Sequence, residues 1–235
     1  MKYFGFGREV WVYFGLVLWM IALPVHGDSA AKEVTSPVVS PSDPVVRRLQ
    51  SFLDRLQSVE ADFFQKVISA NGAQDQVSQG RFAAAKPGRF LWDYQTPDVQ
   101  QILSDGKSVW YYEPELQQVT QIPADTSHDS PAAFLVSQSR IESLFKWEVF
   151  QDPQWNLPSV RLWPHKKGSF QEVDVTLDAT GNTLLALNVE DTLGHRSQFT
   201  FSALRMNQPI PAEKFIFKVP EGVDVIDGAG WSEVK

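Results

Sequence analysis

The chain has 235 residues, no cysteine and a formal net charge of −7. That balance, without any long basic run, excludes the electrostatic footprint of a phosphate-backbone binder, so nucleic acid is not an expected partner. With no disulfides available, stability must come from an apolar core, for which a 43% hydrophobic content is ample.

Lys2 and Arg8 precede an apolar stretch from Val10 to Leu23, and Val25-His26-Gly27 stands where a signal peptidase would cut. Residues 1–27 are therefore predicted to be a cleaved signal peptide, its apolar part shorter than the roughly 20 residues needed to span a bilayer. Asp28 occupies the position where a lipid-anchored protein would carry an acylated cysteine, so the expected product is exported and soluble. Residues 28–42, rich in Ala, Ser, Pro and Val, read as a flexible leader, and residues 43–235 as a single domain.

Asp43 can cap a helix with Pro44 at its first position, and Val45, Val46, Leu49, Phe52, Leu53 and Leu56 recur on one helical face. Short aromatic or β-branched runs follow, predicted as strands over 59–69, 76–85, 88–95, 99–104, 107–113 and 116–122. They are divided by Asn71-Gly72, Lys86-Pro87-Gly88, Thr96-Pro97-Asp98, Asp105-Gly106 and Glu113-Pro114-Glu115, turn chemistries that reverse a chain tightly and make antiparallel neighbours. Ser130 before Pro131 opens a short apolar helix through Val136, and Ile141, Leu144 and Phe145 suggest a further helical turn. Strands resume over 147–150, 160–164, 171–177, 184–190, 197–204 and 215–219.

The expected fold is mainly β with helical inserts: an incomplete, unclosed antiparallel β-barrel of roughly a dozen strands under a lid of short helices. Alternation places Phe90, Trp92 and Tyr94 on one face of their strand, opposite Arg89, Leu91 and Asp93. In the next hairpin Trp110 and Tyr112 share one face while Val109 and Tyr111 share the other, so that strand needs cover on both sides. An interior lined by aromatics invites a ligand, although the two helices could equally plug an ordinary core.

Catalytic motifs are missing. His128, His165 and His195 have no metal-ligand spacing, and there is no nucleophile elbow, cysteine nucleophile or phosphate loop, so neither an enzyme nor a cofactor is expected. Glu60 and Asp62 share a strand face, which a solvated surface explains better than a glycosidase pair. Trp155 and Trp163 leave a periplasmic sugar- or peptidoglycan-binding module as the alternative reading.

Five stretches, in order, carry a resemblance: Ala61-Asp62-Phe63-Phe64-Gln65-Lys66, Lys86 to Tyr94, Ser104 to Tyr112, Ser130-Pro131-Ala132-Ala133-Phe134-Leu135, and Phe215 to Val225. Together they resemble the periplasmic outer-membrane lipoprotein carrier family, LolA. The resemblance implies a monomeric periplasmic chaperone whose apolar cavity shelters the acyl chains of lipoproteins. It further implies an inner-membrane ABC-type lipoprotein-releasing complex as donor and an outer-membrane lipoprotein receptor as acceptor. Phe90, Trp92, Leu53, Phe134, Leu135 and Val136 are the implied cavity residues. Lys86 stands where the family often has the arginine that ties lid to barrel, and it keeps the charge without the planar fork.

Overall fold

The computed structural model describes residues 43–69, 75–124, 131–136 and 139–228. The predicted signal peptide and leader, the Asn71-Gly72 turn, Ser130 and His128 lie outside the described residues.

Helix α1 (Pro44–Arg55) begins where the sequence places its cap: the Asp43 carboxylate accepts the Val45 N–H at 2.8 Å, and Pro44 presets the first turn. It ends at Leu56, whose extended backbone starts the run into the sheet. Val46, Leu49, Phe52 and Leu53 form its buried stripe.

Six strands then follow as a meander: β1 (Ser58–Ile68), β2 (Gln76–Ala85), β3 (Arg89–Thr96), β4 (Gln100–Asp105), β5 (Ser108–Glu113) and β6 (Gln118–Pro123). Helices α2 (Pro131–Val136) and α3 (Ile141–Leu144) come next in sequence. A second meander returns as β7 (Phe145–Asp152), β8 (Leu157–Pro164), β9 (Phe170–Leu177), β10 (Leu184–Asp191) and β11 (Arg196–Met206), and β12 (Asp224–Asp227) completes the set. The strand order is β12-β6-β5-β4-β3-β2-β1-β11-β10-β9-β8-β7, a 12-stranded sheet. Pairing of β1 with β11 joins the two meanders, and β7 and β12 stand at opposite edges, so the sheet is not closed. Every pairing is antiparallel except that of β12 on β6.

One core cluster draws on the inner faces of both meanders together with all three helices, from Leu49 and Leu53 of α1 to Leu135 of α2 and Ile141 of α3. The helices therefore lie on the concave side of an open barrel, where their apolar stripes lose water. The outer face has its own cover over β2 to β5. Phe215 packs on Ala83 and Ala85 with Leu91 beside them, and the Phe217 ring lies 6.0 Å from Trp110 and 5.6 Å from Tyr112. This supplies the second cover that β5 requires.

The same packing corrects one expected strand. Residues 215–219 are not a strand: a 3-10 helix (Ala212–Phe215) opens after Pro211, and irregular backbone runs on to Pro220. Pro211 and Pro220 bound the segment and cannot extend a ladder at its margins, and its aromatic residues are used across the outer face of the sheet. Phe145, expected in a helical turn, instead begins β7.

Candidate functional site

The β2–β3 turn Lys86-Pro87-Gly88 is the point at which two helices attach. The Lys86 ammonium donates to the Leu53 carbonyl at 2.6 Å, in the last turn of α1 where carbonyls have no helical partner. The Gly88 N–H points to the Val136 carbonyl at the end of α2, at 3.5 Å. Burial pulls the Lys86 ammonium below the ordinary lysine range, opposed by the attraction of Asp54.

A second turn braces this one. The Ser104 hydroxyl donates to the Gly88 carbonyl at 2.9 Å and accepts the Gly106 N–H at 3.1 Å. Gly106 has φ +91°, and a Cβ there would stand 3.2 Å from the Pro87 carbonyl oxygen, so this close approach of two turns requires glycine. The Lys86-Pro87-Gly88 and Ser104-Asp105-Gly106 motifs, distant in sequence, are thus one mechanical unit. Arg89 adds a bond from its guanidinium to the Lys86 carbonyl at 3.1 Å and lies 5.4 Å from the centre of the Phe215 ring.

Beneath the helices lies an aromatic floor. Trp92 is its centre, with ring centroids of Phe82 at 4.3 Å, Phe63 at 4.9 Å and Phe199 at 5.0 Å. Phe90 and Tyr94 flank Trp92 on the same face of β3, and burial pushes the Tyr94 hydroxyl well above the usual phenol range. Phe134 meets Phe145 edge to face at 5.3 Å. All six apolar candidates, Leu53, Phe90, Trp92, Phe134, Leu135 and Val136, are buried in the one core cluster, Leu135 completely.

Gln50 and Asn207 attach α1 further, outside the motifs of the sequence. Gln50, buried on the same helix, accepts the Ile141 N–H at 2.9 Å and so ties α1 to α3. Asn207, at φ +57°, accepts the Gln57 N–H at 2.8 Å, while its own N–H donates to the Ser58 carbonyl at 2.8 Å. It pins the junction of α1 and β1 to the end of β11. A polar residue within an apolar stripe marks Gln50, but nothing local marks Asn207, whose partners are about 150 positions away.

The polar candidates do not converge on a reaction centre. Glu60 is engaged by Lys214 and Arg205, which hold its carboxyl below the usual range, while Asp62 is exposed. The Trp163 indole N–H donates to Glu172 at 3.1 Å, and the Trp155 indole nitrogen is buried without a partner. His195 sits 2.8 Å from Asp191, and no group of three metal-binding side chains occurs among the described residues. No described helix is long and apolar enough to cross a membrane.

The arrangement, an apolar floor under helices held at few polar points, agrees with what related proteins are named for. The family profile described as outer membrane lipoprotein carrier protein LolA matches residues 54–218. An outer-membrane lipoprotein carrier protein of Methylibium petroleiphilum is 35% identical over 181 residues, covering 76% of this chain and 87% of its own. A protein of the same name from Dechloromonas aromatica is 34% identical, covering 77% of this chain and 86% of its own. Among solved structures, a putative outer membrane lipoprotein-sorting protein domain from Vibrio parahaemolyticus aligns with TM-score 0.45 at 15% identity, over 72% of this chain and 95% of that one. The chain belongs to the LolA family of outer-membrane lipoprotein carrier proteins.

Proposed function

We propose that this chain is a periplasmic chaperone that shelters the acyl chains of lipoproteins on its concave aromatic face. It receives them from an inner-membrane ABC-type releasing complex and yields them to an outer-membrane receptor, working as a monomer. The observation that carries this reading is the burial of Phe90 and Trp92 in one cluster with the apolar residues of α1 and α2, helices that take no part in the strand ladders. Lys86 is the latch in this mechanism, and Leu53, Phe134, Leu135 and Val136 are the lid contacts that acyl chains replace.

The energetics suit a carrier. One chain of about 15 methylenes gains around 12 kcal/mol on leaving water, at roughly 0.8 per methylene. Three fully buried chains would exceed the ceiling of about 20 kcal/mol for non-covalent binding, so part of the gain must be offset. Displaced lid contacts provide that offset, because the buried faces of α1 and α2 are exposed when cargo enters. Cargo can then pass to a receptor without an energy source.

The test is co-expression with a triacylated lipoprotein, purification without detergent and native mass spectrometry. A one-to-one complex with the acylated cargo, absent when the acylated cysteine is removed, is expected. Equal capture of the unacylated control would overturn the reading.

A further inference from the structure

The register places the β2–β3 and β9–β10 turns at the same end of the sheet, on opposite sides of the central β1–β11 pair. Ala85 ends β2 against Ser58, Met206 ends β11 against Val59, and Leu184 begins β10 beside Leu177 of β9. Lys86 grips α1 from the first of these turns. On the other flank, the Arg48 guanidinium donates to the Ala179 carbonyl at 3.1 Å, and Arg55 donates to the Gly181 carbonyl at 3.2 Å and the Asn182 side-chain oxygen at 3.1 Å. Arg48 and Arg55 are seven positions apart on α1, two helical turns, so both reach the same hairpin.

The hairpin is built to receive them. The Asp178 carboxylate accepts the N–H groups of Asn182 at 2.7 Å and Thr183 at 3.0 Å, and the Thr180 hydroxyl at 2.6 Å, which turns the Ala179 and Gly181 carbonyls to fixed positions. Gly181 has φ +73°, and a Cβ there would lie 2.2 Å from Cγ of Arg48, so the arginine stem occupies the space that a side chain would need.

We infer that Arg48 and Arg55 form a second latch, which holds α1 to the β9–β10 turn and sets the closed population of the lid together with Lys86. Two guanidinium attachments on one flank compensate for the single ammonium bond on the other. The inference rests on the carrier reading, in which α1 must move to admit an acyl chain. Arg48 and Arg55 are positioning residues: they touch no cargo, and weakening them raises the fraction of protein competent to bind it.

The experiment compares the parent with Arg48→Ala/Arg55→Ala by hydrogen exchange and by capture of a triacylated lipopeptide. Exchange of the α1 amides is expected to rise about tenfold, from the loss of exposed, charge-assisted bonds of modest net strength, with β1 and β10 unchanged. Lipopeptide affinity should rise by a similar factor, and Arg48→Lys/Arg55→Lys should recover part of both effects. Asn182→Ala, which alters the turn and leaves α1 untouched, should move both readouts in the same direction by less. Unchanged α1 exchange, or a uniform rise in all strands, would overturn the latch. Failure of the parent to take any lipopeptide would overturn the carrier reading, while the exchange data would still decide the latch.

Discussion

The Lys86 ammonium reaches the Leu53 carbonyl at 2.6 Å across the seam between the β2–β3 turn and α1. The bond satisfies an end-of-helix carbonyl, and its lysine is partly desolvated, so removing it should release the helix without unravelling the sheet. Lys86→Met is expected to speed exchange of the α1 amides about fivefold, the equivalent of about 1 kcal/mol. Lys86→Arg, with a fork that can engage more than one acceptor, should slow lid opening relative to the parent. Equal opening rates for Lys86→Arg and the parent would contradict this.

Leu135 is completely buried in the six-residue helix α2. An unpaired charge there costs several kcal/mol, more than so short a helix gains from its packing. Leu135→Glu should therefore leave the strand ladders intact while setting a charge among the apolar groups that acyl chains must contact, a cost that an opened lid does not remove. Far-UV circular dichroism should keep its sheet signal, and uptake of acylated cargo should fall at least tenfold. Normal uptake by the folded variant would remove α2 from the mechanism.

Glu60 fastens the 3-10 helix at Ala212–Phe215 to β1 through Lys214, with Arg205 as a second partner. These contacts, the Lys214 hydrogen bond first, hold its carboxyl below the ordinary value of 4.5. The carboxylate form is favoured in the folded state, so the contribution is complete above that ordinary value and is lost as pH falls through the lower folded value. The urea midpoint of the parent should decline with acid more steeply than that of Glu60→Gln. Parallel declines would show that the ion cluster does not couple to folding.

A bulge in β11 opposite Glu60 and Asp62 puts exposed Ala203 at φ +51°, in the left-handed region. An L-residue held there costs roughly 1–2 kcal/mol, more than the entropy a glycine adds to the unfolded chain. Ala203→Gly should stabilise the protein by about 0.5 kcal/mol, read as a higher urea midpoint at constant slope. A lower midpoint would mean that the bulge depends on the methyl group.

The strands and the face of α1 were legible because their signals are local. Phe90, Trp92 and Tyr94 alternate on one strand face, and Asp43-Pro44 followed by Val46, Leu49, Phe52 and Leu53 encodes a capped amphipathic helix. The segment after Pro211 reads as a strand in the sequence because Phe215 and Phe217 are strand-favouring residues in isolation, and only the outer face of β2 to β5 shows what they cover. Lys86 could be named from its motif, but its acceptor could not, since Leu53 lies 33 residues away. Arg48, Arg55 and Asn207 are not marked in the sequence for a related reason. Most of their partners are backbone carbonyls and N–H groups, which carry no residue-type signal, and the β1–β11 pairing brings them close from more than 120 positions away.

The most direct test of the central claim, that acyl chains occupy the concave face, is photocrosslinking. A benzoyl-phenylalanine would replace Phe90, buried on the inner face of β3, or Phe64, exposed on the opposite face of the sheet. Irradiation with triacylated lipoprotein should give an acyl-chain adduct from position 90 and none from position 64. Adducts in equal yield from both positions, or from position 64 alone, would contradict the account.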